Sequence, residues 1–393
     1  GDVISLNGLK MTLEPITENQ EAYQSSLRTK AGKDFHPSVT LCLLSLFQLL
    51  MSVQLLFTAE LEDMGHIALG FGAIFLIQWF LFAFYCIIHR RGYEVETIAF
   101  FLSTLGMAII ATADPGEAPK QLAAMVLGLI VFLFIGWSLR DLERAKKVRY
   151  LAAAFGLLLL AVNLVFGVEK FGAKNWIHIF VFAGASAMDR IVTKRNLALF
   201  IAYSGIICGC LVLMNDFGTA LIFFAAFLVI AYLRSGNFAT IALVCAATGF
   251  GGIMALRFLK PHVLSRFASW RHVWEVPLEG GYQQTRAMMC IASGGLLGLG
   301  GGNGWLKYVA ASDTDLVFAT VSEEWGLLIA IMMVLAVVCL GAFVVRSAAV
   351  GRSSFFTIGA CAAISILMVQ TILNVMGTVD LLPLTGVTFP FVS

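Results

Sequence analysis

The residues best able to do chemistry gather in one stretch, Gly280 to Gly326. It holds Arg286, Lys307, Asp313 and Asp315, and then sets Glu323 and Glu324 inside an apolar run. A carboxylate at membrane depth costs several kcal/mol and usually faces a protein interior or a wet cavity, so a pair of them marks a site. Asp315, just ahead of an apolar helix, has two readings. It can cap that helix, its oxygen accepting free backbone N–H groups. It can also act as a general base for an attacking hydroxyl, provided burial has lifted its pKa. Glu323 and Glu324 fall two turns further in, ~12–14 Å below Asp315 along one continuous helix. Adjacent residues project about 100° apart, so the two cannot share a face. Either they are structural, one pairing with Lys or Arg and the other with backbone, or they line a polar cavity.

Asp216 opens another apolar run and reads as a cap or as part of a polar site. Arg266, Arg271, Arg286 and Lys307 form either a solvated basic face or a clamp for an anionic lipid head group, since guanidinium binds phosphate oxygens bidentately. The glycines from Gly294 to Gly304 lack the Lys-Ser/Thr ending of a nucleotide-binding loop. They serve close backbone packing or a nest of N–H groups for phosphate. The eight cysteines and six histidines show no metal-binding spacing, and most cysteines read as small buried apolar residues.

Those side chains must be positioned by membrane helices. Apolar residues make up 59% of the chain and charged residues 13%, against roughly 45–50% and about 25% in soluble domains. With a mean hydropathy of +0.88, the chain reads as an all-α polytopic membrane protein. Its 393 residues suit roughly ten to twelve spans of about 20 residues. Spans are predicted at about 38–58, 64–88, 95–113, 119–139, 150–168, 196–213, 217–234, 238–257, 317–345 and 354–378. The Arg90 and Arg140–Arg149 loops are cytoplasmic by the positive-inside rule. Alternation then fails once. His178–Asp189 offers ~18 Å of helix against ~30 Å of hydrocarbon, so either the segment is re-entrant or, the favoured reading, residues are missing from the chain there. The net charge of +2 says nothing about nucleic acid, and none is expected as a partner.

Residues 1–35 are polar, with no cleavable signal peptide. Asn7-Gly8 is a hairpin signal, although a frayed tail and linker are expected, the remnant of a soluble module. The stretch 258–316 is too long for a simple connector and is read as an extracellular loop, partly helical. Its Trp270, Trp274, Tyr282, Trp305 and Tyr308 suit the membrane–water interface.

Taken together, seven ordered motifs resemble the SEDS family (shape, elongation, division and sporulation), typified by RodA, FtsW and SpoVE. They are Gly172–Ile177; Asn215–Ala220; Gly281-Tyr282-Gln283 with Ser293–Gly295; Thr314–Ala319; Glu323–Gly326; Gln370 with Asn374; and Leu382–Gly386 with Phe389–Ser393. The resemblance covers about 95–393. It implies about ten family helices, leaving 36–94 as two additional N-terminal ones. It also implies a peptidoglycan glycosyltransferase that polymerises lipid II, a disaccharide-pentapeptide on undecaprenyl pyrophosphate, on the outer face of the bacterial cytoplasmic membrane.

By that resemblance Asp315 is the essential acid. Lys174, Trp176, Asp216, Arg266, Arg271, Tyr282, Gln283, Arg286, Lys307, Glu323 and Glu324 are the expected substrate-binding residues. A class B penicillin-binding protein is the expected partner beside lipid II, the glycan strand and membrane lipid. A divalent cation, Mg2+ or Mn2+, is an expected aid, with no dedicated metal cage. Four departures stand out. The helix usual after Ile177 is absent; the usual G-K-G is Gly298-Leu299-Gly300; the Tyr-Gly-Gly-Ser-Ser run is not reached; and two helices are added upstream. Two alternatives remain: a flippase for lipid-linked precursor, using Asp216, Glu323 and Glu324 as a polar path, and a non-catalytic scaffold.

Overall fold

The computed structural model describes residues 36–90, 92–139, 203–211, 216–236, 268–350 and 354–393. It also describes strand segments at 3–6, 9–12, 169–170 and 173–174 and isolated helical residues at 158, 238, 242 and 245–246. Four helices come first: α1 (Pro37–Thr58), α2 (Met64–Ile87), α3 (Glu94–Ala113) and α4 (Ala118–Leu139). Then come a helical stretch at 203–211 and α5 (Phe217–Ser235). The last four are α6 (Tyr282–Gly294), α7 (Val317–Glu324), α8 (Gly326–Val350) and α9 (Ser354–Thr378). Among the described residues six helices are long and apolar enough to cross a membrane, and Gly218–Leu233 is a shorter apolar one. The protein is a multi-pass membrane protein.

Local sequence sets the helix ends. Pro37 opens α1 where its missing N–H costs nothing, and the Asp216 side chain accepts from Thr219 N at 3.0 Å to cap α5. The outward faces are apolar throughout: Leu43, Leu49 and Phe57 on α1, and Leu127, Ile130 and Phe134 on α4, are exposed for lipid. Helix α3 packs against α1, α2, α4 and α8, and so joins the N-terminal helices to the C-terminal half. The shared core includes Leu55, Ile74, Leu105, Met107, Val321, Met333 and Phe389.

A polar seam crosses this core. Gln48 and Gln78 exchange amide hydrogen bonds at 2.9 and 2.8 Å, and Gln48 Nε2 also donates to Thr104 Oγ1 at 3.0 Å. Where no water competes, such groups must satisfy one another, which fixes the register of α1, α2 and α3. Glu96, buried near the start of α3, is matched by Arg90 and the Tyr85 hydroxyl, each at 3.0 Å.

Several expectations change. Strands β1 (Val3–Leu6) and β2 (Leu9–Thr12) pair antiparallel with Leu6 opposite Leu9, so the hairpin signal prevails over the frayed tail. A second short pair, β3 (Glu169–Lys170) with β4 (Ala173–Lys174), was not anticipated. Of the eight cysteines only Cys290 is buried; Cys42, Cys86, Cys245 and Cys339 are exposed, those of α1, α2 and α8 on apolar helices where lipid, not protein, surrounds them. The span predicted at 317–345 is two helices. Trp325 ends α7, and Gly326 begins α8 at φ +88°, a conformation that side-chain-bearing residues avoid. The spans at 150–168 and 238–257, the basic 140–149 loop and the His178–Asp189 gap lie outside the described residues, apart from the isolated positions noted above.

Candidate active site

Asp315 sits in a tight turn where α6, α7 and α9 meet. Ala311, at φ +61°, offers its carbonyl to the amides of Thr314, Asp315 and Leu316 at 3.3, 2.9 and 3.3 Å. Leu316 holds the cap position of α7 without a side-chain cap, and Asp315 immediately precedes it. Asp315 itself is half-buried. Two amides pin its turn. Gln283 of α6 donates to the Ala310 carbonyl at 2.8 Å. Asn374, 1% exposed on α9, donates from Nδ2 to the carbonyls of Asp315 at 3.1 Å and Val387 at 2.8 Å. The segment containing Val387 also packs on the start of α5, where a Cβ at Gly218 would run into Val387 and the Thr385 carbonyl. Four separated motifs therefore converge around Asp315, with Asn374 at the junction. Sequence reasoning quoted Asn374 with Gln370 without giving it a role; the amides inside an apolar helix were the signal.

Glu323 and Glu324 do something different. Both are 1% exposed. Glu323 accepts from Trp305 N at Oε1 and Leu306 N at Oε2, each at 2.9 Å. Glu324 Oε2 accepts from Gly302 N at 3.2 Å, while Oε1 is buried without a hydrogen bond. Burial pushes the Glu324 carboxyl up to about 7, against the pull of the Gly302 N–H and the Lys307 ammonium; α7 lies outside the six candidate spans. The pair thus anchors the glycine-rich loop.

That loop wraps the α7–α8 break. Leu299 and Gly300 donate to the Glu323 and Glu324 carbonyls at 2.9 Å, and Leu327 donates to Gly295 O at 2.9 Å. The break's free backbone groups are satisfied by the loop. Its glycines are there for contact: a Cβ at Gly298 would overlap the Glu324 carbonyl, and one at Gly304 would lie 2.8 Å from Glu324 Oε1. Of the two sequence readings, close backbone packing is the one the structure fits.

Arg286 and Lys307 sit by the loop. The Arg286 guanidinium lies 5.4 Å from the Tyr282 ring and 5.9 Å from the Trp305 ring, with both rings partly exposed. Its Nε is buried without a partner, and no salt bridge involves it among the described residues. Lys307 gives one N–H to the Gly302 carbonyl at 2.7 Å. Arg271, at φ +63°, is held through its backbone N–H to Asp380 Oδ1 at 3.1 Å, with its guanidinium 5.3 Å from the Trp270 ring. Asp380 also accepts from Gln284 at 3.3 Å, and sequence reasoning overlooked it. Asp216 caps α5, as one sequence reading had it. The side chains of Arg266, Lys174 and Trp176 lie outside the described residues.

The arrangement is an acid on a fixed turn, with Arg286, Lys307 and partly exposed aromatic rings on the neighbouring elements. Residues 180–393 match the family model of the FtsW, RodA and SpoVE cell cycle proteins. The chain belongs to this family. Among relatives, it is 29% identical to the peptidoglycan glycosyltransferase RodA of Mycobacterium tuberculosis, over 70% of this chain and 66% of that protein. This chain thus spans 66% of the length of that relative. It is likewise 29% identical to the probable peptidoglycan glycosyltransferase FtsW of Coxiella burnetii, over 74% of this chain and 88% of that one. Its fold resembles a chain from a solved peptidoglycan synthase complex, with a TM-score of 0.63 and 21% identity, covering 77% of this chain and 91% of the other.

Proposed function

We propose that the protein is a peptidoglycan glycosyltransferase that polymerises lipid II, with Asp315 as general base. The observation that carries this is the Asp315 turn, fixed by Asn374 and Gln283 next to a cationic, aromatic surface. Asp315 takes the proton of the acceptor 4-hydroxyl. The oxygen attacks the donor's anomeric carbon, the bond to pyrophosphate breaks, and the linkage inverts from α to β. Undecaprenyl pyrophosphate leaves with its charge met by Arg286 and Lys307. Tyr282 and Trp305 offer ring faces to the saccharide. A divalent cation bound by the pyrophosphate oxygens would add to the charge neutralisation that Arg286 and Lys307 supply.

The charge pattern of the sequence supports a site at the outer face of the cytoplasmic membrane. A membrane-anchored class B penicillin-binding protein is the proposed partner, since polymer must be cross-linked where it emerges. The flippase alternative relied on Asp216, Glu323 and Glu324, and Asp216 and Glu323 are bound to backbone N–H groups. The test is polymerisation of labelled lipid II by purified protein, with and without divalent cation and a transpeptidase partner. Asp315→Asn is expected to lower the rate by about 10²–10⁴-fold while leaving the protein monodisperse. Normal glycan from that variant would sink the mechanism. Lipid II translocation without polymer from wild type would favour the flippase.

A further inference from the structure

The end of α1 touches the glycine-rich loop. Thr58 Oγ1 donates to the Gly301 carbonyl at 2.9 Å, the shortest of its three contacts and the only one outside its own helix. Leu55, 1% exposed, lies so close that a Cβ at Gly301 would be 2.8 Å from its Cδ2. A Cβ at Gly302 would be 3.0 Å from Thr58 Oγ1, and Gly302 has φ +82°. The other side of the same two residues faces the site. Gly302 N–H binds Glu324 and the Gly302 carbonyl binds Lys307 Nζ at 2.7 Å. One peptide unit therefore separates a helix of the N-terminal pair from a cation of the site.

The position of α1 is itself well defined. Its Gln48 is locked to Gln78 on α2 and Thr104 on α3. From α7, Glu323 and Glu324 hold the loop at Trp305, Leu306 and Gly302, and α1 adds its own contact at Gly301.

We infer that α1 is a positioning element for the site, with Thr58 and Leu55 holding Gly301–Gly302 so that Lys307 meets the anionic pyrophosphate of a lipid-linked donor. The inference rests on the polymerase reading above. Thr58 never touches substrate; it acts through Gly301, Gly302 and Lys307. Small displacements of a charged group at a ligand are costly, because charge-assisted hydrogen bonds depend steeply on geometry.

The experiment is a double-mutant cycle on the full chain, with lipid II polymerisation resolved into kcat and KM. Thr58→Val keeps the shape and removes the hydroxyl; Thr58→Ser keeps the hydroxyl. Thr58→Val is expected to raise KM about fivefold, the equivalent of one lost hydrogen bond, with kcat within about twofold. Thr58→Ser restores the wild-type KM. In a Lys307→Met background, Thr58→Val is expected to add less than about twofold, because the element it positions is gone. Leu55→Val, read the same way, replaces Thr58→Val if that protein is not recovered. An unchanged KM in Thr58→Val, failure of Thr58→Ser to restore it, a loss confined to kcat, or equal losses with and without Lys307 would each overturn the inference. Wild type that makes no polymer would instead fail the polymerase reading, so the two failures are separable.

Discussion

Two acidic regions lie within nine residues of each other and are used in opposite ways. Glu323 and Glu324 are buried, and their oxygens collect backbone N–H groups from a loop that has folded over them. Asp315 is half-buried, and its turn is held through the main chain by Asn374 and the carbonyl of Ala311, with Gln283 on the neighbouring Ala310. A carboxylate whose oxygens serve as loop anchors is poorly placed to exchange protons with a substrate. One fixed through its backbone keeps a defined position for chemistry. The difference teaches that a buried acid pair in an apolar run is as able to build a site's wall as to be the site.

The contrast can be broken from the structural side first. Glu323→Ala leaves the Trp305 and Leu306 amides without their acceptors and is expected to cost about 3 kcal/mol or more. Loss of thermal stability in detergent, with poor recovery of monodisperse protein, is the result that checks it. A stable, inactive Glu323→Ala would show that Glu323 acts on substrate and erase the distinction.

On the catalytic side, Asn374→Ala frees the Asp315 and Val387 carbonyls together. Polymerisation is expected to fall about tenfold to a hundredfold as the turn shifts, with a smaller change in stability than for Glu323→Ala. An unchanged rate would mean that the turn is fixed from α6 alone.

The smallest effect is a pH dependence. The Glu324 carboxyl titrates near 7 in the folded protein, above its ordinary 4.5, so the fold favours the neutral form. Its contribution is complete below about 4.5 and is lost as pH rises through about 7. Thermal midpoints of wild type are therefore expected to fall across that window, and Glu324→Gln to flatten the curve. A curve of the same slope in the variant would assign the titration elsewhere.

Much of this was legible in the residues. Hydropathy gave the membrane class and most helix limits, because lipid demands long apolar runs whatever their neighbours. Asn7-Gly8 announced its hairpin, and Asp216 its cap, since both depend on residues within four positions. The motif order pointed to Asp315. What stayed hidden depended on partners far along the chain. The α7–α8 break needs a loop more than twenty residues upstream to satisfy its backbone, so an uninterrupted apolar run looked like one helix. The role of Asn374 depends on Val387 and Asp315 arriving beside it from other elements. Thr58 gained meaning only when Gly301, over two hundred residues away, came to rest on it. By itself the sequence determined which residues are apolar, which can cap and which carry charge, because those properties belong to the residue and its neighbours. Which carboxylates became anchors and which stayed at the mouth was decided by tertiary structure, because a buried charge takes its role from whatever donors packing brings within 3 Å.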